Sequence, residues 1–450
     1  MSVFSTNSSP HYSVTQLAVA AGPAGSGEAL HALVRRLFPI CRSITGEGVR
    51  QTLAILGEYL PGLQVHEVPT GTPALDWTVP REWNVRDAWV KNQRGERIID
   101  FQSHNLHLLS YSVPVHGWFT RAELDEHLHS LPAQPDLIPY RTAYYTEAWG
   151  FCLPHTERLA LTDAIYEVCV DTTLAPGALT YGELLLPGES AEEVLISCHL
   201  CHPSLANDNL SGLAVATYLA RHLAQAPRRY SYRFVFVPGT IGAITWLSRN
   251  FEAVGRVRHG LVLALLGEAG PFTYKQSRRG TATIDRVAAL VLGRAGGAHA
   301  VRPFSPYGYD ERQYCSPGFD LPMGSLSRTP FGEFAEYHTS ADNLAFVRPD
   351  ALLASLQLVQ ELLAVLDANR RYRNRSPYGE PQLGRRGLYQ NVGGGTDGAV
   401  WQLALLWVLN LSDGQHSLLD IAERASLSFE QVQQAATALA ATDLLEPVPD

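Results

Sequence analysis

Residues 197–212, SCHLCHPSLANDNLSG, gather side chains that bind metals. His199 closes an apolar run, and Asp208 follows between Asn207 and Asn209. A second cluster, EFAEYHTSADN at 333–343, sets His338 beside Glu336, Thr339 and Asp342. Imidazole and carboxylate are the donors that suit zinc in a hydrolase. A strand end and the start of the next helix can converge on one point, so His199 and Asp208 can share an ion. A lone strand-end histidine is usually a satisfied polar group. The carboxylate and the second histidine-bearing cluster make ligation the stronger reading. Cys198, Cys201 and His202 form a competing constellation for structural zinc. Period-2 alternation weighs against it, because it points Cys198 to the face opposite His199.

Such groups need rigid elements to aim them. EVLISCHL, YRFVFVPG and HGLVLALLGE are short apolar runs, separated by helical stretches such as LSGLAVATYLARHLAQA and ATIDRVAALVLGRAG. The alternation predicts an α/β fold, a mostly parallel sheet flanked by helices. Ligands then bind outside the carboxyl ends of the strands. Residues 28–60 predict two helices, the second starting at a Thr45 cap, with Arg42, Ser43 and Glu47 in the loop between them. Residues 69–170 are rich in aromatics, proline and short alternating runs. They predict a small β-rich domain inserted into the main one, which leaves 28–68 and 171–384 as a discontinuous metal-binding domain. Residues 385–450 predict three short helices, with Ser417/Asp420 and Ser428/Gln431 spaced as capping boxes, the layout of a winged helix-turn-helix. Residues 1–27 hold no charged side chain, so they lack the basic start of a signal peptide and read as a mobile tail.

The 450 residues are 46% hydrophobic and 18% charged, with a net charge of −9. This is an ordinary globular composition for two or three domains. An acidic chain does not seek nucleic acid. Residues 401–450 sharpen the point, with Arg424 as the one basic residue against seven acids. The C-terminal unit therefore reads as a self-association or capping module, and a homo-oligomer through it or through the inserted domain is an expectation. The six cysteines are scattered, several in apolar runs. That favours free thiols and a cytoplasmic location. No run reads as a membrane span.

The chain resembles the zinc aminopeptidase-like peptidases of the M28 class. It is most similar to a bacterial subgroup that carries CHPSLANDNLSG, a YKxSRRG motif and DERQYCSPGF, together with an inserted β-rich domain and a C-terminal winged helix. The likeness covers roughly residues 28–450. It implies a site of one or two zinc ions in which Asp208 bridges and His199 and His338 are terminal ligands. Glu268, ending HGLVLALLGE, falls where the class has an aspartate ligand. The chain departs at FVFVPGTIGAITWL. Where the class has its general base and a further carboxylate ligand, this chain has Gly239 and Thr240. A metal-activated water needs a group to take its proton and pass it to the leaving amine. Three readings stay open: another acid serves, Glu336 or Asp310; the enzyme runs on one ion with reduced turnover; or peptidase activity is lost.

The substrate implied is a small peptide or amide, held by Asn209, by Tyr274, Arg278 and Arg279, by Glu311 and Arg312 of the long loop, and by Arg141 of the insert. Basic forks at these places suit a carboxylate or phosphate. Tyr140, Trp149 and the Trp77/Trp83 pair are candidates for a cleft wall, with structural packing the commoner role for such residues.

Overall fold

The computed structural model describes residues 26–389 and 396–448. The expected tail lies almost wholly outside them. The chain divides into a large unit, Gly22–Leu358, and a smaller one that includes Val359–Asp450.

The large unit is built on an eight-stranded sheet: β1 (Gln64–Pro69), β2 (Ala178–Leu186), β3 (Glu193–His199), β4 (Ser231–Val237), β5 (Val257–Leu263), β6 (Phe272–Lys275), β7 (His299–Arg302) and β8 (Met323–Ser327), in the order β1-β2-β4-β3-β5-β8-β6-β7. The centre, β4-β3-β5-β8, is parallel. The pairings of β1 with β2, β2 with β4, and β8 with β6 are antiparallel. The expected mostly parallel sheet is therefore parallel where the site lies and mixed overall. Its central strands are continuous apolar runs because helices cover both faces. Every residue of β3 and of β4 is buried, and the helices Gly212–Leu223 and Ile241–Arg249 follow these two strands.

Two sequence expectations move. The second N-terminal helix spans Glu47–Tyr59 with Gly46 as its cap. Thr45 instead uses its hydroxyl to accept from the Trp83 amide (3.0 Å) and to bond Tyr111 Oη (2.6 Å). The segment between the long loop of Glu311 and Arg312 and His338, in which the sequence marks no strand, contains β8. Gly324 within it is needed because a Cβ there would lie 2.0 Å from Tyr274 Oη.

The inserted segment forms an antiparallel sheet of Glu82–Lys91, Arg97–Asp100, Val115–Thr120 and Ile165–Ala175. Its last strand runs past the expected boundary at 170. The insertion leaves and re-enters the main sheet at neighbouring points, since Pro69 at the end of β1 pairs with Ala178 at the start of β2. It shares one core with the main sheet: Val90 and Val168 belong to the same apolar cluster as Val235, Trp246 and Met323.

The smaller unit has helices Thr396–Leu411, Leu418–Ala425 and Phe429–Ala441, with both expected capping boxes formed. A three-stranded sheet accompanies them, Arg371–Asn374 lying between Asp413–Ser417 and Leu445–Pro447. The expected boundary at 385 therefore falls inside this unit. The strand RYRN was hidden by its charge and lack of apolar alternation. Helix Pro349–Ala368 is long and apolar enough by length and composition to cross a membrane, contrary to the expectation that no run is, but 61% of that window is buried within the fold. All six cysteines are free.

Candidate metal centre

His199 is the last residue of β3, and its imidazole Nε2 lies 2.8 Å from Asp208 Oδ1. His338 Nε2 lies 3.1 Å from the other oxygen, Oδ2. His199 and Asp208 are fully buried. The expected triad therefore meets on one carboxylate. The turn that carries Asp208 is clamped from two sides. Asp342 accepts from the amides of Asn207 (2.5 Å) and Asp208 (2.9 Å) through its carboxylate. On the other side, Asn209, Ser211 and Asn207 accept in turn from the amides of Leu265, Leu266 and Gly267, at 3.2, 2.8 and 2.8 Å. The polar run NDNLS thus holds the turn against the loop after β5. Asn209 also donates to Leu263 O (3.1 Å) and is 3% exposed, so it positions the turn and does not face a substrate.

A third imidazole joins the site. His202 Nδ1 lies 3.6 Å from Asp208 Oδ1, and the donor atoms of His199, His202 and Asp208 all lie within 4.8 Å of one another. Sequence reasoning met His202 only as part of the Cys-x-x-Cys alternative. Its turn, not its spacing, brings it to Asp208. Burial alone would raise the Asp208 carboxyl, but the imidazoles hydrogen-bonded to it, those of His199 and His338, hold it well below the usual range. Burial pushes His202 down to about 3, so its imidazole is neutral, the form that ligates. Burial raises Asp342 to about 7. The buried His202 Nδ1 has no hydrogen-bond partner. A buried, neutral imidazole aimed at an ionised carboxylate fits a zinc ion.

The inserted domain reaches this centre. Residues 138–140 run beside 338–340: Tyr140 N donates to His338 O (2.8 Å) and Ser340 N to Ile138 O (2.9 Å). The Tyr140 ring stands edge-on to both His202 and His338, with centroids 5.2 and 5.1 Å away. Above the centre is a cavity of about 250 Å³ lined by Trp77, Tyr140, Tyr144, Tyr145, His202, His338, Gly239 and Tyr309, among others. Trp77 and Tyr140 thus contribute to the cleft. Trp83 is 3% exposed and donates to Ser112 O. Trp149 stacks on His127. Both are packing residues.

The place of the absent carboxylate is filled. A Cβ on Gly239 would lie 2.0 Å from Tyr309 Cε1. The Tyr309 hydroxyl lies 3.4 Å from Gly239 O and 3.5 Å from Cys201 Sγ. Burial holds the phenol well above its ordinary pKa, so it stays protonated.

Other expected residues are placed elsewhere. Glu268 turns its carboxylate to the amide and hydroxyl of Thr329 (2.9 and 2.8 Å) and to the amide of Gly270. It lies outside the donor cluster around Asp208. Tyr274 is fully buried and donates to Asp285 (3.0 Å), so it cannot meet a substrate. Arg278 and Arg279 both pair with Asp320 at the surface. Glu311 accepts from Lys275 Nζ (2.6 Å) and from Tyr309 N. Arg312 is partly exposed and acts on Asp310 through its charge. Arg141 is exposed, and its carbonyl accepts from Ser110 N. Asp310 is fully buried, both its oxygens lack partners, and burial keeps the acid protonated. Glu336 is half-buried, and its carbonyl accepts from Thr339.

Strand-end histidine, turn aspartate and loop histidine over a parallel sheet centre define an aminopeptidase-like α/β domain. Its fold matches that of solved zinc aminopeptidases. A zinc aminopeptidase from Bacillus subtilis aligns with a TM-score of 0.55 at 11% identity, over 75% of this chain and 94% of that one. An M28 peptidase precursor from Shewanella amazonensis aligns at 0.55 and 15% identity, over 79% and 96%. More particularly, the chain belongs to the family described as a domain of unknown function (DUF4910), whose model matches residues 31–369, followed by a winged helix-turn-helix at 370–447. A Clostridium acetobutylicum relative, named for polysaccharide biosynthesis with an aminopeptidase-like domain, is 48% identical over 94% of this chain and 97% of its own length. A crystallised Clostridium acetobutylicum protein named as a peptidase aligns with a TM-score of 0.89 and 46% identity, over 97% of this chain and 98% of that one.

Proposed function

We propose that the protein is a zinc-dependent, aminopeptidase-like hydrolase that cleaves an N-terminal residue or a small amide within a biosynthetic pathway, such as one for a polysaccharide. The observation that carries this is the fully buried Asp208 carboxylate with three imidazoles gathered on it at the floor of an aromatic cleft. Zinc bound there would supply Lewis-acid polarisation of a carbonyl and a water of lowered pKa. The chain's own residues do the rest. Asp342 and the NDNLS turn hold Asp208 in place. Tyr140, Tyr144 and Trp77 enclose the substrate and exclude water. The name of the Clostridium acetobutylicum relative supports the pathway. Six unpaired cysteines suit a reducing compartment, the cytoplasm.

A second reading has its own support. With Tyr309 in the space beside Gly239, no carboxylate stands where the class keeps its base, and protonated Asp310 cannot replace it. Of the two candidate acids, Glu336 on the His338 loop is the one that remains. A protein that binds metal and ligand without turnover is the alternative. Metal analysis of the purified protein, with a panel of aminoacyl amides before and after chelation, separates the two. The hydrolase reading expects bound zinc and turnover that chelation abolishes and zinc restores. Bound zinc with no turnover on any amide leaves the binding protein.

A further inference from the structure

We propose that the centre holds a single metal ion, ligated by His199, His202 and Asp208, and that His338 is not one of its ligands. This rests on reading the site as a zinc centre and names the side chains that form it.

The two oxygens of Asp208 are not equivalent. Oδ1 faces two imidazoles, His199 Nε2 at 2.8 Å and His202 Nδ1 at 3.6 Å. The donor atoms of these three residues form one compact cluster, and among the described residues His338 does not belong to it. His202 Nδ1 is buried without a hydrogen-bond partner. Leaving such a nitrogen unsatisfied is costly unless something not made of protein meets it. The backbone of His202 is held as well, since Arg42 Nε donates to its carbonyl (3.0 Å).

Oδ2 faces His338, at 3.1 Å. An ion on that side would need a carboxylate from the end of β4, where Gly239 and Thr240 stand and the Tyr309 ring takes the space. On the β5 side, the Glu268 carboxylate is engaged by Thr329 and Gly270. One imidazole and one shared oxygen do not make a zinc site. Two imidazoles and a carboxylate, with a fourth position open, match the protein ligand count of a catalytic zinc. His338, whose side chain is 32% exposed, is left to face the cleft.

The test is metal binding, read independently of activity. Wild type, His202→Ala and His338→Ala are loaded with zinc, dialysed and analysed for metal per chain, and the dissociation constant is read by competition with a chelating dye. The expected result is one ion per wild-type chain. His202→Ala should weaken binding by more than about 100-fold, the upper end for a residue that merely orients a ligand. His338→Ala should stay within about 10-fold, below that end. Two ions per chain, or loss of the ion in His338→Ala with retention in His202→Ala, overturns the proposal and leaves the zinc-hydrolase reading intact. A wild type that retains no zinc overturns both. If His202→Ala does not fold, His202→Cys decides. Nδ1 lies close to the backbone, so a thiolate at that position can take its place. The cobalt-loaded Cys variant should show a thiolate-to-cobalt charge-transfer band that cobalt-loaded wild type lacks. Cobalt bound without the band, or the same band in wild type, overturns the proposal.

Discussion

The Tyr309 ring occupies the space that a side chain at position 239 would need, with its Cε1 2.0 Å from where a Cβ on Gly239 would sit. The glycine and the tyrosine therefore form one feature, a small residue at the end of β4 and an aromatic ring laid over it. The ring centroid is also 4.2 Å from that of His199, so the substitution borders the metal centre.

This coupling is measurable. Gly239→Ala should cost about 1–3 kcal/mol through overpacking, and Tyr309→Ala about 3–5 kcal/mol through loss of a buried ring. The double variant should fall short of their sum by at least about 1 kcal/mol, because the second change removes the clash made by the first. Denaturant unfolding of the four proteins reads the cycle. Strict additivity would show that the two positions do not compete for space. It follows that Gly239→Glu can place a carboxylate beside the metal centre only when Tyr309 is also made small.

The carboxylate of Asp342 holds the Asp208 turn by accepting two consecutive amides. Asp342→Asn keeps one good acceptor and replaces the other with a donor that opposes an amide. Zinc affinity should fall about 10–100-fold with the number of ions per chain unchanged, as for other residues that orient a ligand. Dye competition and metal analysis report both quantities. Unchanged affinity would remove Asp342 from the centre.

Acid should weaken the seam between the N-terminal helices and the insert. Glu82, at the start of the inserted sheet, accepts both Nη groups of Arg50 (2.8 and 2.7 Å) and the amide of Ala178. Bonding to Arg50 is the main reason its pKa falls to about 2. The folded value is depressed, so the stabilisation is complete above the unfolded value near 4.5 and is lost as pH falls from there toward 2. Discounting for solvent at Arg50, Glu82→Gln should cost about 1–2 kcal/mol at pH 7. The gap between wild type and variant should narrow below pH 4.5. A gap independent of pH would mean that the pair does not act through charge.

The C-terminal unit should not bind duplex DNA at moderate salt. Its helix Phe429–Ala441 stands where a recognition helix would, and it carries Glu430 and no lysine or arginine. Without a cation on this helix, its contact with phosphate would release no counterions and gain no drive from them. Fluorescence anisotropy with a labelled duplex is the measurement, and salt-sensitive binding would refute the expectation.

Much of this was legible in the linear chain. The apolar runs that become β3, β4 and β5 announced themselves because strands buried on both faces need unbroken hydrophobicity. His199 and Asp208 stood out because their donor types are rare beside such runs, and His338 because it sat in a second polar cluster. Among the strands that escaped notice, two show the physical reason plainly. β8 is short and glycine-bearing, and Arg371–Asn374 is charged, so neither carries the alternation that marks a strand.

Residue order settled which donors the chain has, which elements carry them and that position 239 offers no acid. Folding settled their directions. His202 joins Asp208, Glu268 turns to Thr329, Tyr274 is spent on Asp285, and Tyr309 crosses from a distant loop to cover Gly239. Periodicity encodes which face of a helix or strand a side chain takes. The aim of a side chain in a loop depends on backbone hydrogen bonds and packing supplied by segments far away in the chain, and those exist only once the sheet and its loops are assembled.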